Sequence, residues 1–182
     1  MPRSRTKTNS PPRALDRLPV RDEDGNYLAV IEASAESRNK FKFDPKYRAL
    51  VLHGVLPLGT SFPYSFGFIP STRGEDGDPL DVLLLMDEPA PPGTVVPCRL
   101  VAIIEAEQSE GEERFRNDRL IGVAAKSHRY QHCNKLSDLA PEMLDEVERF
   151  FVFYNAQKGK QFTVLKRRSV DAARKAVEKA QV

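Results

Sequence analysis

The chain has 182 residues, 40% of them hydrophobic and 30% charged, which suits one globular domain with a sizeable core. Its 28 basic and 26 acidic residues nearly cancel to a net charge of +2, which excludes nucleic-acid binding driven by overall charge. No apolar run approaches the roughly 18 residues of a membrane span, and the N-terminus lacks the apolar stretch of a secretory signal, so a cytoplasmic protein without nucleic-acid or membrane partners is expected.

Residues 1–19 are basic and rich in Pro, Ser and Thr, with Arg3, Arg5, Lys7, Arg13 and Arg17 set against Asp16. Such a composition predicts a disordered arm ahead of a single domain spanning 20–182. Short apolar or alternating runs then predict strands over 27–32, 41–43, 49–52, 62–69, 81–86, 95–105 and 120–123, separated by turn residues such as Pro91-Pro92-Gly93. The charged stretch around Gly111 reads as a loop. Helices are expected only late. Pro141 suits a first turn, Glu142, Asp145 and Glu146 suit the positive end of a helix dipole, and Leu144, Val147, Phe151 and Tyr154 form one apolar stripe. A second helix is expected over 169–180. The predicted class is α+β, a mainly antiparallel barrel with one or two packed helices.

The stretch from Glu75 to Met86 carries the most chemistry. Asp76, Asp78 and Asp81 place three carboxylates within six residues, with Gly77 and Pro79 between them, at the mouth of the apolar run Val82 to Met86. Gly and Pro favour a turn that gathers these mutually repelling side chains. A cation relieves that repulsion, and carboxylate oxygens suit hard divalent ions such as Mg²⁺ or Mn²⁺, which commonly take substrate phosphates as further ligands. A solvated acidic turn is the alternative. An EF-hand loop is excluded, because counting from Asp76 puts Leu80 at its fifth position and Asp81 where it requires Gly. Cys98 and Cys133 lie far apart without metal-ligand spacing and read as buried or free thiols. His53, His128 and His132 have no spacing that compels a metal site.

In that order of elements the chain resembles the soluble family I inorganic pyrophosphatases. Asp76-Gly77-Asp78-Pro79-Leu80-Asp81-Val82 matches their signature D-[SGN]-D-P-x-D followed by aliphatic residues. Val30-Ile31-Glu32, Asn39-Lys40-Phe41, the segment from Phe62 to Pro70, Pro92-Gly93-Thr94-Val95, and Phe150-Phe151 with Tyr154 and Lys158-Gly159-Lys160 are similar to further segments in the same order. The resemblance implies an OB-like five-stranded antiparallel barrel with flanking C-terminal helices. It also implies Mg²⁺-dependent hydrolysis of pyrophosphate to two phosphates, in a homo-oligomer that by analogy is a hexamer. On the matched positions, Asp76 and Asp81 would be metal ligands, joined by Asn117 or its neighbour Asp118. Asp78 would be the general base, with Glu32 supporting the water network, and Lys40, Arg119 and Tyr154 would hold substrate.

Several positions depart from the family pattern. Lys42 stands where an acid is usual, and Gly54 where an arginine clamps phosphate. Phe62 and Phe66 replace tyrosines, Gln108 and Asn117 replace aspartates, and Asn155 replaces a lysine. The turn built on Asp76, Asp78 and Asp81 is intact while the surrounding ligands and clamps are thinned. Hydrolysis of another phosphoanhydride or phosphoester, or a non-catalytic metal- or phosphate-binding role, therefore stay open beside the pyrophosphatase reading.

Overall fold

The computed structural model describes residues 14–182. Its strands are β1 (Tyr27–Ala33), β2 (Asn39–Asp44), β3 (Ala49–Val55), β4 (Ser65–Phe68), β5 (Asp81–Leu85), β6 (Val95–Glu110), β7 (Glu113–Arg116), β8 (Arg119–Ala124) and β9 (Gln161–Ser169). Its helices are α1 (Pro141–Ala156) and α2 (Val170–Ala180). Hydrogen-bonded neighbours run β1-β4-β5-β8-β6, and β6 also pairs with β1, so these five strands form a ring of pairings. β7 and β9 extend the far end of β6, and β2 and β3 form a separate hairpin. Within the ring the β5–β8 pair is parallel, where the resemblance led us to expect antiparallel strands. The chain between them passes out along β6 and back along β7, a crossover long enough to return β8 in the same direction as β5.

The central strands are apolar at nearly every position because both of their faces are covered. Successive side chains of a strand point to opposite sides, and here the two sides feed two cores. Leu83 and Leu85 of β5 and Ile121 and Val123 of β8 join the cluster that contains Leu144, Val147 and Phe151 of α1. Val82 and Leu84 of β5 and Leu120 of β8 join the cluster that contains Ala173 and Val177 of α2. The stripe predicted for α1 is the buried one, and Pro141 stands in its first turn.

β7 and β9 lie where no strand is expected from sequence. Both are polar and largely exposed, and backbone pairing to the long β6 holds them in place of a hydrophobic pattern. Of the basic arm expected over 1–19, residues 1–13 lie outside the described residues. Leu15, the first residue of a 3-10 turn, and Leu18, just after it, pack against the cluster of Val30, Phe43 and Phe68.

At the β1–β4 pair, Gly67 faces Ile31 so closely that a Cβ would lie 1.8 Å from the Val30 carbonyl oxygen. Backbone cannot yield as a flexible side chain can. Gly67→Ala is expected to destabilise the fold by about 3 kcal/mol or more, measured by urea unfolding. Gly54→Ala, whose Cβ meets nothing within 4 Å, is expected to change stability by less than about 1 kcal/mol.

Candidate active site

The acidic turn is fixed by its own backbone. Gly74 N–H donates to the Asp78 carbonyl at 2.7 Å, and Gly77 adopts φ +82°, a left-handed conformation that favours glycine. The buried Thr72 hydroxyl accepts the Leu80 N–H at 2.9 Å and donates to the Ile69 carbonyl at 2.6 Å, anchoring the turn to the end of β4. These contacts turn Asp76, Asp78 and Asp81 into one wall of a cleft of about 1190 Å³.

The facing walls come from β2, β3, β8 and the C-terminal end of α1, and they carry the positive charge. Lys42 Nζ donates to both carboxylate oxygens of Asp78, at 2.8 and 2.7 Å. Arg119 is almost wholly buried, and its Nη1 meets Asp81 at 2.8 Å. The same nitrogen donates to the Asn117 carbonyl at 3.0 Å and to Asn117 Oδ1. Its guanidinium carbon lies 4.8 Å from the Phe151 ring centre and 5.1 Å from that of Phe162. Lys40 Nζ is 3.8 Å from Glu32 and 4.9 Å from the centre of the Phe66 ring. Tyr154 lines the cleft, and its hydroxyl accepts from Lys158.

All the residues singled out from sequence reach this cleft except Asp118. Strand alternation predicts that Asn117 and Arg119 share a face and that Asp118 points away. In the structure Asp118 Oδ1 accepts the Ala106 N–H at 2.9 Å and two guanidinium bonds from Arg116, at 3.1 and 2.8 Å. The amide of Asn117 donates to Gln108 Oε1 at 2.9 Å, joining two amides at positions where the resemblance implies aspartates. Phe62 and Phe66 are core rings stacked 5.8 Å apart under the cleft. Gly54 faces Lys40 across the β2–β3 hairpin beside open space. Residues given no site role from sequence also line it, among them Glu75, His53 and Lys158. For Lys158 a signal existed, since the Lys158-Gly159-Lys160 segment already took part in the resemblance, and it sits in the turn just after α1.

Burial pushes the Glu32 carboxyl up to about 7, opposed by Lys40 and reinforced by Asp81. Burial also raises the pKa of Asp76, aided by the charges of Asp81 and Asp78 and opposed by the Asp78 N–H. For Lys40, burial works to lower the pKa, yet Asp81 and Glu32 outweigh it and the ammonium is held above its ordinary range. His53 is pushed down by burial and by Lys40, Lys158 and Lys42.

Among the described residues no three His, Cys, Asp or Glu side chains already converge on a point that a metal ion could take. The donor set nonetheless fits a hard divalent cation. Asp76 is an exposed carboxylate with no ion pair among the described residues, in one turn with Asp78 and Asp81, which are already paired. Oxygen donors short of positive charge favour such an ion.

A family model described as inorganic pyrophosphatase matches residues 29–182. The inorganic pyrophosphatase of Nostoc sp. is 34% identical over 91% of this chain and 96% of that protein. That of Synechocystis sp. is 36% identical over 90% of this chain and 95% of that protein. The crystal structure of inorganic pyrophosphatase from Thermus thermophilus aligns with a TM-score of 0.84 at 36% identity, covering 92% of this chain and 97% of that one. The α+β class and the OB-like arrangement agree with this likeness.

The state of Glu32 makes stability depend on pH. An acid whose folded pKa lies above its unfolded value favours folding while protonated, so its contribution is complete below about 4.5 and is lost as pH rises toward 7. Glu32→Gln, which stays neutral, is expected to match the wild type near pH 4.5 and to exceed it by about 3 kcal/mol above pH 7. Urea unfolding of both proteins in EDTA across this range checks the expectation.

Proposed function

The chain belongs to the inorganic pyrophosphatase family, and we propose that the cleft between the acidic turn and the basic side chains of β2, β8 and α1 is where it hydrolyses pyrophosphate. Its activity is that of an inorganic diphosphatase, the conversion of pyrophosphate and water to two phosphates. The observation that carries this reading is the meeting of Asp76, Asp78 and Asp81 with Lys40, Arg119 and Tyr154 in one cleft, since a compact polyanion needs both a cation site and a lining of donors.

Asp76 and Asp81 would hold the metal ion, with the Asn117 amide oxygen as a neutral ligand. Mg²⁺ is the ion we propose, because the donors are oxygens and phosphate oxygens can complete its coordination. When bound, the metal supplies positive charge against the polyanion and lowers the pKa of water toward neutrality. Asp78 acts as general base, accepting a proton from the attacking water as its oxygen bonds to phosphorus and the bridging oxygen departs. Glu32 orders water at the floor of the cleft. Lys40 stays charged, and with Arg119 and Tyr154 it binds phosphate oxygens and orients the substrate. Lys158 keeps the Tyr154 hydroxyl aimed at the cleft. Asp118 has no part in this scheme, because its carboxylate serves Arg116 and the β6 backbone.

The same reading makes the protein cytoplasmic and homo-oligomeric, a hexamer by analogy. A relative described as a soluble inorganic pyrophosphatase, from Zea mays and 33% identical over 84% of this chain, supports a soluble protein. Exposed apolar side chains on β3 and α1, including Leu52, Val55, Val152 and Phe153, support association.

Phosphate release from pyrophosphate, compared with a nucleoside triphosphate and an aryl phosphate at fixed Mg²⁺, tests the assignment, and selective release from pyrophosphate is expected. A broad profile would favour another phosphoanhydride or phosphoester, and no release would indicate a binding protein. Asp76→Ala is expected to abolish turnover with the fold retained, and Asp81→Ala to abolish turnover and also destabilise the fold, because it strips the buried Arg119 of its partner. Asp78→Asn is expected to slow turnover by about 10²–10⁴-fold with metal affinity little changed in calorimetry. Parallel loss of both would make Asp78 a ligand.

A further inference from the structure

Lys42 presents an unusual arrangement for the general base. Its ammonium grips both oxygens of Asp78 from the opposite wall of the cleft, reaching from the β2–β3 hairpin to the acidic turn. Two of its three N–H donors are used there, which leaves a third for an anion. Its side chain is 43% exposed and that of Asp78 50% exposed, so the pair is a weak one that an incoming anion can share or open. Elsewhere in the cleft, negative charge is already reduced. Arg119 neutralises Asp81, the neighbouring Gln108–Asn117 pair is uncharged, and Asp76 alone of the three aspartates lacks an ion pair among the described residues.

We infer that Lys42 stands in for one divalent cation, so that its tethered ammonium neutralises Asp78 and contacts pyrophosphate where a metal ion would otherwise bridge them. This rests on the reading of the cleft as a pyrophosphate site. A tethered cation carries half the charge of a magnesium ion but is always present, so substrate binding depends less on dissolved metal. It also keeps a second divalent ion out, because Asp78 is engaged and a like charge stands beside it. Lys42 thereby sets how many ions the cleft holds.

The test counts ions and measures affinity without relying on turnover. Mn²⁺ bound per chain is determined by electron paramagnetic resonance with methylenediphosphonate, a non-hydrolysable pyrophosphate analogue, for the wild type and Lys42→Glu. Binding of the analogue in EDTA is measured by calorimetry for the wild type and Lys42→Met. Because Lys42 is substantially solvent-exposed, both variants are expected to keep the wild-type circular dichroism spectrum. Lys42→Glu is expected to bind an additional Mn²⁺ ion, and Lys42→Met to lose about ten-fold or more in metal-free affinity. Equal stoichiometry in wild type and Lys42→Glu, or equal affinity in wild type and Lys42→Met, overturns the role of Lys42 alone. Failure of every protein to bind Mn²⁺ or the analogue overturns the cleft reading and this inference with it.

Discussion

Asp81 and Arg119 are the first residues of two strands that run in parallel side by side, and their contact at 2.8 Å ties the site to the core. An antiparallel pairing would have put the beginning of one strand against the end of the other. Parallel register instead brings a carboxylate and a guanidinium together at one edge of the sheet, with Val82 paired to Leu120 directly behind them. A nearly buried arginine is tolerated only where its charge is met. Here Asp81 meets it, Asn117 accepts from it, and the rings of Phe151 and Phe162 flank it. The acidic turn, β8 and α1 are thereby held in a fixed relation, and the cleft is the space left between them.

The same economy of charge recurs across the cleft. Asp78 is met by Lys42 and Glu32 by Lys40. Gln108 and Asn117 are joined by an amide hydrogen bond where two carboxylates would repel unless cations separated them. Phe62 and Phe66, where the resemblance implies tyrosines, work in the same direction. Their rings join Phe150, Phe151 and Tyr154 in an aromatic layer beneath the site, and neither Phe62 nor Phe66 brings a hydroxyl that would need a partner there. Each change removes a group that would require a metal ion or a substrate oxygen to satisfy it.

Much of this was legible in the residues. The central strands announced themselves as apolar runs, since both faces of β5 and β8 are buried, and the α1 stripe followed from a spacing that only a helix brings to one side. The acidic turn stood out because Gly77 and Pro79 interrupt its acids. Asn117 and Asp118 lie just before β8, and only the fold shows Asn117 lining the cleft while Asp118 turns to Arg116 and the β6 backbone. β7 and β9 were not legible, because their order comes from pairing with β6 and not from side chains that bury themselves. The parallel pairing of β5 and β8 was hidden for a similar reason, as local pattern does not report strand direction. Lys42 could be recognised as a departure, but its partner lies 36 positions along the chain and only the fold selects it.

The two ion pairs at the heart of the cleft differ in their access to water, with side-chain exposures of 4% and 18% for Arg119 and Asp81 but 43% and 50% for Lys42 and Asp78. Dissolved ions screen charges in open solvent far more than charges set into the protein. Rising ionic strength therefore loosens the grip on Asp78 while leaving the strand-edge pair nearly untouched. The framework and the movable charge of the cleft thus answer to salt separately. The ionic composition around the protein becomes a means of freeing the base without disturbing the scaffold that positions it.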